Sequence, residues 1–293
     1  MKQLIVIMGP TASGKTALSV ELAKKLQTEI VSADSRQFYR KMDIGTAKPS
    51  KEELNAVPHH FIDFLEPDED YNIGKYEIDA LKKISELHSK FDNVILTGGS
   101  GLYIRAITNG LDDLPPSDPE LRLKLEKELE VFGVFYLAEK LKVLDPIYYS
   151  QVDKKNPHRI IRALEVSLQT GVPYSSLRTN VSRAREFNIR KYALLVDRET
   201  LYDRINRRVT AMFNAGLVEE VRSLIPFRKC NALQTVGYAE IFDYLDGKIS
   251  LAQAEEEICK NTRHYAKRQM TWLRKETDVN WIENIDEISV SDD

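Results

Sequence analysis

The chain is poor in cysteine and has no long apolar run. Its 293 residues include two cysteines, Cys230 and Cys259, whose spacing fits neither a zinc site nor an evident disulfide. Unpaired thiols are typical of a reducing cytoplasm. No apolar run approaches the roughly 20 residues that span a membrane, and the short apolar N-terminal stretch leads directly into a loop, as a strand does and a signal peptide does not. We therefore expect a cytoplasmic protein with no membrane partner.

An excess of positive charge is also absent. The formal net charge is −3, so any surface for nucleic acid must concentrate its basic residues locally. At the end of the predicted strand 93–97, where a nucleotide-hydrolysing phosphate-loop enzyme carries a metal-holding aspartate, the chain has Gly98, Gly99, Ser100 and Gly101. This argues against a hydrolytic motor. The glycines would either admit a bulky substrate close to the backbone or form a plain turn.

What the sequence does contain is a phosphate loop. Residues 9–16 match the pattern G-x-x-x-x-G-K-[ST] at every fixed position, between a predicted strand and an amphipathic helix. The loop consists of Gly9, Pro10, Thr11, Ala12, Ser13, Gly14, Lys15 and Thr16. Its backbone N–H groups can surround a phosphate, Lys15 can neutralise the charge, and the Thr16 hydroxyl can hold a metal ion or a phosphate oxygen. We predict that a di- or triphosphate binds here.

A carboxylate, Asp34, follows directly after the second predicted strand, residues 29–33. In a doubly wound sheet, ligands bind beyond the carboxyl ends of the strands. We therefore expect Asp34 to face whatever lies on the phosphate loop. An ordinary turn-forming aspartate is the alternative.

Two groups of basic residues follow helical spacing. Arg204 and Arg208 are four residues apart and project from one face of a predicted helix, either as a solvated pair or as part of a phosphate site. A second basic helix carries Arg263, Lys267, Arg268 and Arg274, interleaved with Tyr265 and Trp272. This pattern suits phosphate contacts and base stacking, and it is equally compatible with packing of the two aromatic side chains in the core.

The order of the predicted elements indicates an α/β fold, a P-loop NTPase-like parallel sheet flanked by helices, with an inserted all-helical subdomain. We place the catalytic core at residues 1–113 and 187–293, and the insertion at residues 114–186. Ser117 and Glu120 are predicted to form a capping box at the start of the insertion. A strand at residues 192–197 returns to the sheet and helices dominate thereafter. The charged tail from about Asn284 has the composition of a disordered segment.

Seven blocks of the chain, taken in order, resemble the tRNA dimethylallyltransferase family in its compact bacterial form. They are residues 9–16, 34–40, 43–49, 98–103, 156–165, 236–238 and 262–274. The phosphate loop alone is unspecific, whereas the segments DSRQFYR at 34–40 and AKRQMTWLR at 266–274 are specific. The likeness extends over nearly the whole chain.

The resemblance implies an activity: transfer of a dimethylallyl group from dimethylallyl diphosphate to the exocyclic amino group of the adenosine 3′ of the anticodon, in tRNAs that read codons beginning with U. Diphosphate is released. Asp34 would be the general base, Thr16 and Arg208 would act on the diphosphate, and Mg²⁺ would be the cofactor with Thr16 as a ligand. The implied partners are the tRNA anticodon stem-loop and dimethylallyl diphosphate, and we expect a monomer.

The matching positions also imply a set of tRNA-binding residues. These are Asp34, Ser35, Arg36, Gln37, Ser100, Arg159, Arg162, Arg263, Lys267 and Arg268. Gln37 would read the flipped-out adenine by hydrogen bonding. Ser100 stands where the family usually has threonine, so the hydroxyl is kept and a methyl group is lost.

Three other functions stay open at this point. An adenylate isopentenyltransferase would modify free nucleotides, so only the preferred acceptor separates it from a tRNA enzyme. A P-loop small-molecule kinase would turn over ATP and would have little use for the second basic helix. A nucleotide-gated RNA-binding switch would carry no chemistry, and the absence of an N-K-x-D motif weakens that reading.

Overall fold

The computed structural model describes residues 2–179 and 181–289, and in them six strands form one parallel sheet. The strands are β1 (Gln3–Met8), β2 (Ile30–Ser32), β3 (His59–His60), β4 (Asn93–Gly98), β5 (Asn188–Leu194) and β6 (Val279–Ile282). Their order across the sheet is β3-β2-β4-β1-β5-β6, and each neighbouring pair is parallel. The predicted fold class, a parallel α/β sheet of the P-loop type flanked by helices, is confirmed.

Helices connect the strands and cover the sheet. Before β5 they are α1 (Lys15–Leu26), α2 (Lys51–Ala56), α3 (Ile73–His88), α4 (Gly101–Asn109), α5 (Pro119–Leu144), α6 (Pro146–Gln151), α7 (Pro157–Thr170) and α8 (Tyr174–Leu177). After β5 they are α9 (Arg198–Asn214), α10 (Leu217–Ser223), α11 (Ala239–Leu245) and α12 (Leu251–Leu273), with short 3₁₀ helices at Ile225–Phe227, Asn231–Leu233 and Ile285–Glu287. Among the described residues, no helix is both long enough and apolar enough to cross a membrane.

The central strand β1 explains why the sheet has a layer on each side. All six of its residues are buried, as expected of a strand with neighbours on both edges and helices on both faces. Successive side chains alternate between the faces. Leu4 and Val6 pack into one hydrophobic cluster, whereas Ile5 and Ile7 pack into a second one.

The sheet brings three chain segments to one edge. β4 pairs with both β1 and β2, so that Met8 lies beside Gly98 and Ser32 lies beside Thr97. The carboxyl ends of these parallel strands therefore meet. Residues 9–16, residues 33–37 and residues 98–101 all continue from this edge, which is where ligands bind in open α/β sheets.

The chain divides into two compact units, one formed by residues 2–108 and 184–289 and the other by residues 109–183. The insertion was predicted at residues 114–186, and the second unit occupies residues 109–183. Its regular elements between residues 110 and 179 are the helices α5 to α8. Its own core contains Leu125, Leu137, Leu141, Ile160 and Leu164.

The predicted capping box at the start of α5 is wrong. Asp118, not Ser117, is the N-cap, and its side chain accepts hydrogen bonds from the N–H groups of Glu120 (3.0 Å) and Leu121 (3.1 Å). The Ser117 hydroxyl instead donates to Glu165 at 2.5 Å. A carboxylate suits the N-cap position, and Pro119 at the first helical position has its φ already set for a helix.

Three further details of the prediction are corrected. β5 begins at Asn188 and ends at Leu194, and Asp197 caps α9 rather than extending the strand. The strands β3 and β6 were not predicted, because neither contains the buried apolar run that marks the equally short β2. The tail from Asn284 is not wholly disordered: Ile285–Glu287 forms a 3₁₀ helix and Ile288 is buried. Residues 290–293 of that tail lie outside the described residues.

Candidate active site

The phosphate loop joins β1 to α1 with the geometry that anion binding requires. Gly14 has φ +99°, a left-handed conformation that favours glycine, and it precedes the first residue of α1. The first N–H groups of a helix have no partner within the helix, and the helix dipole makes that end positive. The loop therefore presents free donors and partial positive charge to an anion.

A cavity of about 860 Å³ opens beside this loop within the first unit. The predicted site residues that line it are Thr11, Ala12, Ser13, Gly14, Lys15, Thr16, Asp34, Ser35, Arg36, Gln37, Arg208 and Arg268. Gly9, Pro10, Ser100, Arg263 and Lys267 are not among its lining residues. The structure thus brings the predicted phosphate loop, carboxylate and one arginine of each basic helix into one space.

Lys15 is half-buried and lines the cavity together with Asp34 and Arg208. Its Nζ donates a hydrogen bond of 2.7 Å to the carbonyl oxygen of Pro10. Burial lowers the pKa of Lys15 to about 8; the negative charge of Asp34 opposes this shift and the positive charge of Arg208 adds to it. An anion in the cavity would stabilise the charged form of the Lys15 ammonium group and so oppose the lowering of its pKa.

Asp34 is a carboxylate with a raised pKa. Burial causes the rise, while the backbone N–H of Arg36, at 3.1 Å from Oδ1, and the positive charges of Lys15 and Arg36 oppose it. A carboxylate whose pKa moves towards neutrality accepts protons more readily than an exposed one. Asp34 also begins a turn, as the alternative described, because its carbonyl oxygen accepts from the N–H of Gln37 at 3.1 Å.

Two arginines of α9 reach the phosphate loop. The Arg204 guanidinium donates to the carbonyl oxygen of Ser13 at 3.2 Å, and that of Arg208 donates to the Thr11 hydroxyl at 3.4 Å. Burial lowers the pKa of Arg208, which nevertheless stays protonated. Arg207, on the same helix, is exposed and pairs with Asp203. Helical spacing had left a solvated pair as one option for Arg204 and Arg208. Arg204 is exposed, yet both side chains form hydrogen bonds to the phosphate loop.

The segment after β2 is held by hydrogen bonds to neighbouring loops. The Gln37 side chain donates to the carbonyl oxygens of Thr46 (3.2 Å) and Ala47 (3.1 Å), which leaves its own carbonyl oxygen to accept. The Ser100 hydroxyl accepts from the N–H of Ser35 at 3.2 Å. Ser100 therefore holds the segment after β2 through this hydrogen bond and is not a lining residue of the cavity.

Glu220 organises the loop at residues 43–49 and was missed in the sequence. Its carboxylate accepts hydrogen bonds from the N–H groups of Asp43 (3.0 Å), Ile44 (2.7 Å) and Gly45 (3.0 Å), and from the hydroxyl of Tyr238 (2.7 Å). Because that loop accepts both bonds from Gln37, Glu220 also sets the position of the cavity wall. Nothing local marks Glu220 among the charged residues of α10.

The predicted tRNA-binding side chains of α12 differ in their surroundings. Lys267 and Arg268 are exposed, and Arg268 stacks over the ring of Tyr265 at 5.7 Å. Arg263 donates to the side chain of Asn206 at 2.9 Å. Trp272 packs directly over Gly101, where a Cβ atom would lie 2.4 Å from its ring. Trp272 is thus a packing residue, one of the two options that the sequence left open.

In the second unit, the two predicted arginines also differ. Arg159 is exposed, whereas Arg162 donates to Glu165 (2.9 Å) and to the carbonyl oxygen of Pro115 (2.7 Å). Burial alone would raise the pKa of Glu165, but hydrogen bonds from Arg122, Ser117 and Arg162 lower it to about 2. Arg162 therefore has a structural role within the unit.

The predicted magnesium ligand, Thr16, lines the cavity at the start of α1. Across the residues that the structure describes, no group of three or more histidine, cysteine, aspartate or glutamate side chains could hold a metal ion. Mg²⁺ commonly takes one or two protein ligands together with substrate phosphates and waters. A single hydroxyl beside a phosphate loop fits that kind of site.

Comparisons with known proteins agree with this geometry. The model of the family described as IPP transferase matches residues 37–276. A protein of Christiangramia forsetii named tRNA dimethylallyltransferase is 51% identical over 280 residues, which cover 96% of this chain and 93% of that protein. A Flavobacterium johnsoniae protein of the same name is 48% identical and is covered to 94%, with 97% of this chain aligned.

Solved structures give the same result. The tRNA isopentenylpyrophosphate transferase of Bacillus halodurans superposes with a TM-score of 0.71 at 39% identity, over 96% of this chain and 90% of that one. A eukaryotic dimethylallyltransferase acting on tRNA superposes with a TM-score of 0.82 at 26% identity, over 96% of this chain and 74% of that one. The chain belongs to the IPP transferase family.

Proposed function

We propose that this protein transfers a dimethylallyl group from dimethylallyl diphosphate to the exocyclic amino group of the adenosine 3′ of the anticodon in tRNA. The observation that carries the proposal is the single cavity lined by Lys15, Arg208 and Asp34. Lys15 and Arg208 suit a leaving diphosphate, and Asp34 suits the proton of an attacking amine. The names of the relatives support the same reaction.

The diphosphate would bind at the start of α1. The N–H groups of the first helical turn would donate to its oxygens, Lys15 would move its ammonium group from the Pro10 carbonyl to a phosphate oxygen, and Arg208 would add a planar cation. When bound, Mg²⁺ would neutralise part of the diphosphate charge, with Thr16 as its protein ligand.

In the transfer step, the amino nitrogen forms a bond to the first carbon of the dimethylallyl group. The bond from that carbon to the diphosphate oxygen breaks, and diphosphate leaves with the electron pair. Asp34 takes the proton that the amino group loses. An exocyclic amine is a weak nucleophile because its lone pair is delocalised into the ring. An oriented base of this kind contributes about 10²–10⁴-fold to the rate.

The adenosine would reach Asp34 after flipping out of its stack in the anticodon loop. Gln37 lines the cavity, and its side-chain oxygen is left to accept a hydrogen bond, so it would recognise the amino edge of adenine. The exposed Lys267 and Arg268 provide phosphate contacts for the RNA. The family resemblance favours tRNAs that read codons beginning with U.

The location and assembly of the protein belong to the same proposal. Cys230 and Cys259 form no disulfide, which agrees with a reducing cytoplasm. We expect a cytoplasmic enzyme that works as a monomer.

A transfer assay with radiolabelled dimethylallyl diphosphate, Mg²⁺ and unmodified tRNA tests the proposal, with free AMP offered in parallel. Label in tRNA, located by digestion at the adenosine 3′ of the anticodon, is the expected result. Label in AMP alone would identify an adenylate isopentenyltransferase. Label in neither acceptor, together with ATP turnover, would identify a small-molecule kinase.

A further inference from the structure

The side chain of Gln269 connects two segments of the cavity rim. Gln269 lies on α12 and is 7% exposed. Its carbonyl oxygen accepts a hydrogen bond from the N–H of Thr11 at 2.8 Å, and its amide nitrogen donates to the carbonyl oxygen of Gly99 at 2.8 Å. Thr11 offers a donor and Gly99 an acceptor, so the orientation of the amide group is fixed by its partners.

The two bonded segments follow the neighbouring strands β1 and β4. Thr11 belongs to the phosphate loop, and its hydroxyl is the group that Arg208 contacts. Gly99 belongs to the turn that leads into α4. One side chain on α12 therefore fixes the spacing between the phosphate loop and this turn.

Gly99 shows how closely the amide group is packed. A Cβ atom at Gly99 would lie 2.5 Å from the amide nitrogen of Gln269 and 3.8 Å from a carboxylate oxygen of Asp34. Any side chain here would displace the Gln269 amide. The glycine is thus explained by a close approach of Gln269, and not by an unusual backbone angle.

The bond to Gln269 also removes one donor from the phosphate loop. The N–H of Thr11 is already used, and that of Ser13 donates to the carbonyl oxygen of Pro10 at 3.2 Å, so fewer backbone N–H groups of the loop at residues 9–16 are left for a phosphate. A loop that is bonded to α12 through Thr11 is held in place before the ligand binds. Preorganisation of this kind strengthens binding, because less ordering remains to be done.

We infer that Gln269 is a positioning residue for the diphosphate, acting through Thr11 and thereby through Arg208. The inference rests on the proposed function, since it assumes that the phosphate loop binds the diphosphate of the donor substrate. It predicts that losing the Gln269 bonds weakens recognition of the diphosphate and leaves the affinity for tRNA unchanged. A merely structural residue would affect both substrates alike.

The first experiment measures binding of inorganic diphosphate with Mg²⁺ by calorimetry, using the full-length protein. Gln269→Met keeps the length of the side chain and loses both hydrogen bonds. We expect its dissociation constant for diphosphate to rise at least about tenfold, with a similar rise in KM for dimethylallyl diphosphate and an unchanged KM for tRNA. Glu256→Met, at an exposed position of the same helix, is the matched control and should behave like the wild type.

Gln269→Glu gives a second, milder variant. Its carboxylate still accepts from Thr11 but cannot donate to Gly99, and it adds a negative charge near Asp34. We expect weakened diphosphate binding and a pH profile of turnover displaced to higher pH, because a second carboxylate raises the pKa of the first. This variant keeps the measurement decisive if Gln269→Met does not stay folded.

Gly99→Ala tests the contact between Gly99 and the Gln269 side chain by changing Gly99 instead of Gln269. The added methyl group should displace the Gln269 amide and weaken diphosphate binding as Gln269→Met does. In a Gln269→Ala background, where the space is free, Gly99→Ala should cost nothing further, because the two changes remove the same interaction.

Two results would overturn the inference, and a third would overturn the proposed diphosphate site together with the inference. Folded Gln269→Met protein that binds diphosphate as tightly as the wild type would show that Gln269 does not position the loop. An equal loss from Gly99→Ala with and without Gln269 would show that Gly99 acts independently. If wild-type protein binds no diphosphate, the diphosphate site of the proposed function fails, and the inference fails with it.

Discussion

The ammonium group of Lys15 and the carboxylate of Asp34 each offset the effect of burial on the other. Burial lowers the pKa of Lys15 to about 8 and raises the pKa of Asp34, and in both cases the charge of the partner opposes the shift. The pair therefore keeps a cation for the diphosphate and a base for the amine in one cavity, although each group alone would tend to lose its charge.

Removing the Asp34 carboxylate should lower the rate of dimethylallyl transfer and leave the affinity for tRNA nearly unchanged. We expect Asp34→Ala and Asp34→Asn to lower turnover by about a hundredfold or more, because an unassisted amine is a weak nucleophile. The affinity for tRNA, measured by filter binding, should change little. Nearly intact turnover in Asp34→Asn would mean that another group takes the proton.

The substitution Asp34→Asn should also stabilise the fold. The folded-state pKa of Asp34 lies above its unfolded value, so the ionised carboxylate disfavours folding at every pH above the folded pKa, and this cost disappears below the unfolded pKa of about 3.9. Asp34→Asn should therefore raise Tm at pH 8, and the difference should shrink as the pH falls towards 4. A lower Tm at pH 8 would contradict the raised pKa.

The pH dependence of kcat/KM for dimethylallyl diphosphate should be bell-shaped. On the acid side, activity falls as Asp34 becomes protonated and can no longer accept a proton. On the alkaline side, activity falls above about pH 8, as free-enzyme Lys15 loses its charge. Lys15→Met should have low activity and no alkaline limb near pH 8. A limb that persists there in the variant belongs to some other group.

Two neighbouring arginines of α9 provide a matched test of the diphosphate site. Arg208→Ala should raise KM for dimethylallyl diphosphate at least about tenfold, because a buried cation next to the phosphate loop is lost. Arg207→Ala removes the same charge from an exposed position and should have little effect. Steady-state kinetics compares them directly; equal effects would point to general electrostatics rather than contact.

Loss of Glu220 should loosen the loop at residues 43–49. Glu220→Ala leaves three backbone N–H groups without their acceptor, and we expect the free energy of unfolding to fall by about 2 kcal/mol. Tyr238→Phe removes only the hydroxyl bond and should cost about 1 kcal/mol. Urea denaturation measures both. KM for tRNA should also rise in Glu220→Ala, because the loop holds the side chain of Gln37. A Glu220→Ala variant as stable as the wild type would show that Glu220 does not hold the loop.

Local patterns in the sequence were enough to predict four of the six strands and to place several candidate site residues at one edge of the sheet. A buried apolar strand followed by a phosphate loop, and Asp34 at the end of the next predicted strand, are features of short segments, so their meeting at one edge follows from parallel pairing. The cap of α5 was predicted wrongly as Ser117, because the Ser117 hydroxyl donates to the buried carboxylate of Glu165 and Asp118 takes the N-cap position.

Contacts between distant segments were out of reach of such patterns. Glu220 bonds to Asp43 across 177 positions, and Gln269 bonds to Thr11 across 258. Each side chain sits on a charged helix whose local sequence is compatible with exposure. Their roles arise from tertiary packing, and for Gln269 the local sign was the glycine at position 99, which permits its close approach.

The place of β1 in the sheet has a consequence for synthesis of the protein on the ribosome. β1 leaves the ribosome before the other five strands, yet it lies between β4 and β5, and β6 pairs next to β5. Such non-local pairing folds late. Arg208 and Gln269 also follow β5 in the chain. A nascent or truncated chain therefore carries the complete phosphate loop without the groups that hold it, and substrate binding becomes a property of the finished polypeptide.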